Sequence, residues 1–223
     1  MTEQTLDIMG LEEVEIENAS IDEIESENIN LIFIGIDQSS SMIDYIGDMK
    51  KSLKEFKEAL INSKESEEIL IARANFNDMI NIGGYKKIQE FDEEYDAYGM
   101  TSLYDVIIEG KEKLVKYIEY LKEQGMRVKA VFSIFSDGED TSSKSSFSSA
   151  KQAIEELNKL EITTAFISFG NEAKREAKDL DFKNILTMNE SSSELRKAFN
   201  CLSKSVIESS KSVLPDEDDF FTV

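Results

Sequence analysis

Short apolar runs alternate along this chain with longer segments of helical periodicity. A short apolar run between turn-forming residues is typical of a buried strand, whereas apolar residues three and four positions apart are typical of an amphipathic helix. The sequence predicts strands at 31–36, 69–76, 79–82, 128–135, 162–169 and 184–188. It predicts helices at 43–62, 101–124, 147–157, 172–180 and 195–206.

This alternation predicts the fold class. Strands that alternate with helices of this length favour a mostly parallel sheet covered by helices on both faces. The dipeptide Asn77-Asp78 predicts a tight turn into the strand 79–82, which makes that strand antiparallel. We therefore predict a doubly wound α/β fold with a six-stranded sheet and one antiparallel edge strand.

Polar side chains follow the apolar run 31–36 directly, in the spacing D-x-S-x-S. They are Asp37, Ser39 and Ser41, and we expect them in the crevice at the carboxyl edge of the sheet, where α/β proteins bind ligands. Thr101 at the start of the second predicted helix and Asp137 after the strand 128–135 should meet them there. Carboxylates and hydroxyls are hard oxygen donors, which suit Mg²⁺ or Mn²⁺ and are poor ligands for Zn²⁺ or Cu²⁺.

Each of these motifs also has an ordinary interpretation. Asp and Ser after a strand can cap the next helix, and Thr101 or Ser102 with Asp105 can do the same. The segment 136–140 (SDGED) can be a simple turn. Their occurrence together, at successive strand ends, favours a metal site.

The three segments resemble one known family. The strings DQSSSM, YGMTSLYD and FSDGED are similar to the metal-ion-dependent adhesion site, or MIDAS, of von Willebrand factor A (VWA) domains, over residues 29–207. The resemblance implies a Rossmann-like VWA fold and a complete metal site formed by Asp37, Ser39, Ser41, Thr101 and Asp137. Met100 and Ser102 depart from the pattern, because the family often has a small residue before the threonine and many bacterial members have proline after it.

Charge and composition limit the functions that this chain can have. The net charge is −21, no Lys or Arg precedes Lys50, and the chain has no histidine. Such acidity disfavours nucleic acid and anionic membranes as partners, and the missing histidine excludes a Ser-His-Asp triad or a histidine base within this chain. With a single cysteine, Cys201, no signal peptide and no membrane-spanning run, we expect a cytoplasmic protein.

The sequence predicts three regions and leaves three functions open. The regions are an acidic N-terminal extension at 1–28, the VWA domain at 29–207 and an acidic C-terminal tail at 208–223. The resemblance implies a non-enzymatic, stand-alone intracellular module of bacterial or phage type, which binds a partner's Asp or Glu through Mg²⁺ as a scaffold. The alternatives are self-assembly through the acidic arms at the metal site and, less favoured, a Mg²⁺-dependent phosphohydrolase that uses Asp37.

Overall fold

A single mixed sheet forms the centre of the protein. The computed structural model describes residues 18, 19, 24, 26–64, 69–211 and 220–221. Within these residues the strands are β1 (Asn28–Asp37), β2 (Ile69–Phe76), β3 (Ile80–Ile82), β4 (Lys86–Lys87), β5 (Arg127–Ser136), β6 (Thr163–Phe169) and β7 (Asn184–Met188). The helices are α1 (Ile46–Ile61), α2 (Leu103–Glu123), α3 (Phe147–Lys159), α4 (Asn171–Asp179) and α5 (Ser192–Lys211).

The strand order is β3-β2-β1-β5-β6-β7, and β4 also pairs with β2. Strands β2, β1, β5, β6 and β7 are parallel to their neighbours, whereas β3 and β4 run antiparallel to β2. The last two are consecutive pieces of one edge, interrupted at Gly83-Gly84, so the predicted six strands become seven when both pieces are counted. The predicted doubly wound, mostly parallel sheet with an antiparallel edge is confirmed.

Both faces of the sheet are buried. On β1, Leu31 and Phe33 face one core, which is completed by α2, α3 and α4, while Ile32, Ile34 and Ile36 face the other, which α1 and α5 complete. A strand covered on both sides has no solvent-facing positions, and this is why its sequence is continuously apolar instead of alternating.

The first helix begins later than the periodicity predicts. Residues Ser40–Tyr45 form a 3-10 turn, in which the Met42 N–H donates to the Ser39 carbonyl at 3.1 Å, and α1 starts only at Ile46. A 3-10 turn places apolar residues inward much as an α-helix does, so the two are not separable by periodicity. None of the described helices is long and apolar enough to cross a bilayer.

Two short terminal segments contact the domain. The Ala19 N–H donates to the Tyr85 carbonyl at 2.6 Å, and the Tyr85 N–H donates to Asn18 Oδ1 at 2.7 Å. At the other end, Phe220 is buried in the core beside α1 and α5, and its N–H donates to Asn184 Oδ1 at 3.0 Å. Most of the predicted extension 1–28, and residues 212–219 and 222–223 of the predicted tail 208–223, lie outside the described residues.

The buried position of Phe220 predicts a contribution of the C-terminus to stability. We expect Phe220→Ala to lower the free energy of unfolding by about 2 to 4 kcal/mol, because a buried aromatic ring is removed. The half-buried Phe221 is the matched control, and Phe221→Ala should cost about 1 kcal/mol. Urea unfolding measures both. An unchanged midpoint in Phe220→Ala would show that this contact does not stabilise the fold.

Candidate metal centre

Asp37 and Asp137 lie at the same edge of the sheet. Asp37 is the last residue of β1, and Asp137 follows β5 directly. The two strands are parallel neighbours in which Ile36 pairs with Phe135. This register places Ser136 opposite Asp37, and Asp137 follows Ser136 at the same edge, although one hundred positions separate the two aspartates in the chain.

Four of the five predicted residues belong to one hydrogen-bonded cluster. The Ser39 N–H donates to Asp37 Oδ1 at 2.8 Å, and the hydroxyls of Ser39 and Ser41 lie 2.9 Å apart. Ser41 Oγ then donates to Asp137 Oδ1 at 3.0 Å. The structure therefore gathers two carboxylates and two hydroxyls, as the sequence predicts.

Thr101 is held beside this cluster by loops on both sides. Its N–H donates to Thr141 Oγ1 at 2.9 Å, and its carbonyl accepts from the Thr141 N–H at 2.9 Å and the Ser142 N–H at 3.0 Å. On the other side, the Ser40 N–H donates to the Gly99 carbonyl at 3.0 Å. Gly99 has φ of +78°, a left-handed conformation that favours glycine. The buried Thr101 thus sits between the loops that follow β1 and β5.

Helix capping does not account for the serines. Ser39 precedes the 3-10 turn and Ser102 precedes α2, but neither side chain makes a capping hydrogen bond. Asp105 instead accepts from the N–H groups of Lys144 and Ser145, each at 2.9 Å. The capping interpretation of these motifs is therefore not supported, and ligation by their oxygens stays a prediction.

The electrostatics of the cluster fit a cation. Burial raises the pKa of Asp37 to about 6, and the nearby Asp137 carboxylate contributes to the increase, while hydrogen bonds from Ser136 and Ser39 oppose it. Burial also raises the pKa of Asp137, with additional repulsion from Glu190 and Glu172. Among the described residues no Lys or Arg forms a salt bridge with either carboxylate. One buried and one half-buried carboxylate, both uncompensated and with adjacent hydroxyls, are a donor set that Mg²⁺ would stabilise.

Two residues that support Asp37 have no role in the sequence interpretation. Ser136 Oγ donates to Asp37 Oδ2 at 2.6 Å, and the Tyr95 hydroxyl donates to the Asp37 carbonyl at 2.6 Å. Ser136 precedes Asp137 in the string FSDGED, so the sequence could have indicated that Ser136 lies near the site. Tyr95 lies in an irregular segment without periodicity, and nothing in the sequence marks it.

Tyr95→Phe tests this support. We expect the loss of one buried hydrogen bond to lower the free energy of unfolding by about 1 kcal/mol and to weaken Mg²⁺ binding several-fold, because the Asp37 backbone is less fixed. Tyr85→Phe is the matched control, since the buried Tyr85 hydroxyl has no hydrogen-bond partner within the described residues, and its removal should be neutral or stabilising. Calorimetric Mg²⁺ titration and urea unfolding separate the two effects. Equal Mg²⁺ affinity in wild type and Tyr95→Phe would contradict the role of Tyr95.

The two positions that depart from the VWA pattern make backbone hydrogen bonds to a neighbouring turn. The Ser102 N–H donates to the Asn77 carbonyl at 3.0 Å, a bond that proline cannot make. The Met100 N–H donates to Asp78 Oδ1 at 2.8 Å, while its side chain is exposed. Both residues therefore attach the Thr101 loop to the turn between β2 and β3.

Comparison with known proteins identifies the fold. No family model and no curated protein matches the sequence. Similar solved structures include the pilus adhesin SpaC from Lactobacillus rhamnosus GG, with a TM-score of 0.66 and 9% identity over 82% of this chain and 30% of SpaC. Proximal thread matrix protein 1 from the mussel byssus, with a zinc-occupied MIDAS motif, has a TM-score of 0.59 and 17% identity over 81% of this chain and 46% of its own. The SpRpn10 VWA domain has a TM-score of 0.54 and 12% identity over 77% of this chain and 94% of that domain.

These similarities show the fold alone. The chain has the Rossmann-like VWA fold that its motifs imply. It spans 30% of the adhesin and 46% of the thread protein, so it corresponds to a part of each. The zinc-occupied site is a property of the mussel protein.

Proposed function

We propose that this chain is a divalent-cation-dependent protein-interaction module, which binds the carboxylate of a partner protein through a metal ion. The observation that carries the proposal is the single cluster of Asp37, Ser39, Ser41 and Asp137, whose negative charge no basic side chain of the described residues balances. Thr101 stands beside it. A buried charge of this kind is costly without a counter-ion.

These five residues would hold Mg²⁺, or Mn²⁺ in its place. Mg²⁺ prefers six oxygen ligands in octahedral geometry, and two carboxylates with neutral hydroxyls leave room for a further ligand. The bound ion would supply a local positive charge on a strongly acidic protein, and an Asp or Glu of the partner is the ligand that this charge favours. The burial of Asp37, Ser39 and Thr101 supports the proposal, because neighbouring loops hold these residues before an ion binds.

The proposed module is not an enzyme. The Asp37 carboxylate is fully buried, and its two oxygens accept hydrogen bonds from the Ser39 N–H and the Ser136 hydroxyl. A nucleophile must be reached by its substrate, which full burial of Asp37 opposes, and it needs an adjacent acid or base. The chain contains no histidine to serve as one. We propose an adaptor or scaffold role inside the cytoplasm, where a reduced Cys201 would persist.

Metal-dependent capture tests the proposal. The immobilised chain is incubated with extract from its source cells in Mg²⁺, in Mn²⁺, in Zn²⁺ and in chelator. We expect a partner that is retained in Mg²⁺ and released by chelator, and we expect Thr101→Ala to lose it while keeping its unfolding midpoint. Substitution of the partner's contacting Asp or Glu by the amide should also abolish capture.

Two results would contradict the proposal. One is capture that is equal with Mg²⁺ and with chelator, which would place the interaction outside the metal centre. The other is metal-dependent turnover of a phosphate ester that Asp37→Asn eliminates, which would favour the phosphohydrolase alternative.

A further inference from the structure

Exposed apolar side chains surround one side of the candidate metal centre. Among the described residues four large apolar side chains on its loops are 49 to 65% exposed. They are Ile43, Met79, Tyr98 and Met100, and we call them the apolar rim. Isolated exposed apolar residues need no explanation, but a contiguous group commonly marks an interaction site.

Hydrogen bonds join the loops of the apolar rim into one surface. The Tyr98 N–H donates to the Gln38 carbonyl at 2.8 Å, which attaches that loop to the segment after β1. The bond from the Met100 N–H to Asp78 attaches it to the turn that carries Met79. Ile43 belongs to the 3-10 turn that begins just before Ser41. The apolar rim therefore lies on the β1-β2-β3 half of the carboxyl edge, beside the proposed ligands.

Acidic side chains occupy the other half of this edge. Glu172 lies in the first turn of α4, after β6, and Glu190 follows β7. Both are exposed, and we call them the acidic rim. A Cβ added at Gly170, the residue before α4, would lie 2.5 Å from Glu190 Oε1, so the Glu190 carboxylate lies against the loop that leads to Glu172. Neither residue of the acidic rim forms a salt bridge within the described residues, whereas the neighbouring Glu139 pairs with Arg175. The acidic rim thus adds negative charge beyond Asp137.

We infer that the metal centre binds a polypeptide segment whose acidic residue is flanked by apolar side chains on one side and a basic side chain on the other. The inference rests on the proposed function, because the acidic residue is the one that reaches the metal. The apolar flank would bury Met79, Tyr98 and Met100, and the basic flank would meet Glu172 and Glu190. Complementary charges also accelerate encounter with a protein of net charge −21.

The same surface disfavours uniformly acidic segments. Residues 216–219 of this chain are four consecutive acids, and in a second copy they would bring three extra charges against the acidic rim. The adjacent Phe220 is buried in its own domain. The preferred occupant is therefore a different protein and not the C-terminus of another copy.

Synthetic peptides with one central Asp test the inference. Two mixed peptides carry lysines on one side of the Asp and leucines on the other, one in each order. Three uniform peptides carry the same residue on both sides of the Asp: leucine, lysine or glutamate. Two further peptides carry Asn in place of Asp and the sequence of residues 214–223. Binding is measured by calorimetry in saturating Mg²⁺ and in chelator, at physiological ionic strength. We expect one of the two mixed peptides to bind about tenfold tighter than the uniform peptides. Burial of one apolar side chain, or pairing of one charge, changes the affinity by about this factor.

Variants of the protein show which flank of the peptide contacts the apolar rim and which contacts the acidic rim. Met79→Ser with Met100→Ser should weaken the mixed peptide about tenfold and leave Mg²⁺ affinity unchanged. Leu160→Ser is the matched control, because Leu160 is 56% exposed but follows α3, far from the carboxyl edge. Glu172→Gln with Glu190→Gln should reduce the advantage of the mixed peptide over the leucine peptide.

The outcomes separate this inference from the proposed function. Equal, Mg²⁺-dependent binding of all Asp peptides would leave the proposed function standing and overturn the inference. Tightest binding of the 214–223 peptide would also overturn it and make a second copy the occupant. If no peptide binds in Mg²⁺, or if binding survives the chelator, the proposed function fails and the inference fails with it.

Discussion

Asp37→Asn is expected to abolish Mg²⁺ binding and, at the same time, to stabilise the metal-free protein. The carboxylate is buried beside Asp137, and burial raises its pKa to about 6 from 3.8. The folded protein therefore holds this proton more tightly than the unfolded chain does. Stability of the metal-free wild type should fall as the pH rises from about 4 to about 6, and the loss should persist at higher pH.

Asparagine at position 37 removes the free-energy cost of burying a charged carboxylate and can keep the hydrogen bonds to the neighbouring residues. Asn can still accept from the Ser39 N–H, and its amide group can donate to the Ser136 hydroxyl, which now contacts Asp37 at 2.6 Å. We expect metal-free Asp37→Asn to gain about 2 to 3 kcal/mol in free energy of unfolding at pH 7.5. Wild type should instead gain about 2.7 kcal/mol when free Mg²⁺ is a hundred times its dissociation constant.

Denaturant unfolding with and without Mg²⁺, from pH 4 to pH 8, measures both effects. The exposed Asp179 at the end of α4 provides the control, and Asp179→Asn should keep the response to Mg²⁺ and the pH dependence of wild type. Wild-type Mg²⁺ affinity in Asp37→Asn would locate the metal elsewhere. Loss of folding in this variant would mean that the Asp37 carboxylate is required by the structure and not by a ligand.

Gly110→Ala is expected to be among the most destabilising single substitutions in the chain. A Cβ at Gly110 would lie 2.3 Å from Phe33 Cζ. Phe33 is fully buried and stacks on Phe132 with ring centroids 4.7 Å apart, so the ring has no space to move into. We expect a loss of about 2 to 4 kcal/mol, although alanine favours a helix over glycine by about 1 kcal/mol.

Gly47→Ala is the matched control, because Gly47 is an exposed helical glycine of α1 with open space around its Cα. That substitution should stabilise the protein by about 0.5 to 1 kcal/mol. In a Phe33→Leu background, Gly110→Ala should cost much less, since the smaller side chain leaves room, and the double-mutant cycle measures this coupling. Additive effects of the two substitutions would show that a clash with Phe33 is not the reason why Gly110→Ala destabilises the protein.

The sequence predicted the sheet well because burial on both faces leaves a local signature. The run 31–36 is apolar at every position except Gly35, as a strand that is buried on both faces requires of consecutive residues. Helix starts were predicted less well. The 3-10 turn Ser40–Tyr45 and the helix α1 share one apolar pattern, and only the hydrogen bond from Met42 to Ser39 distinguishes them.

The residues of the candidate metal centre were predictable, whereas the residues that support them were not. Asp37, Ser39 and Ser41 stand together after a strand, and Thr101 and Asp137 occupy equivalent places before a helix and after another strand. Tyr95 and Thr141 support them through bonds to backbone groups of distant residues, and such bonds leave no pattern in the sequence. The apolar rim is likewise visible only in three dimensions, because Ile43, Met79 and Met100 are far apart in the chain.

The sequence by itself determined the strand and helix types, the five oxygen-bearing side chains and the acidity of the surface, because each depends on residues that are close neighbours or on composition. Only the tertiary structure decided that Asp37 and Asp137 meet, that Gly110 must lack a side chain and that Phe220 is buried. These features depend on the register of β1 against β5 and on the packing of helices against the sheet. Both are set by contacts between residues distant in sequence, and no local pattern encodes such contacts.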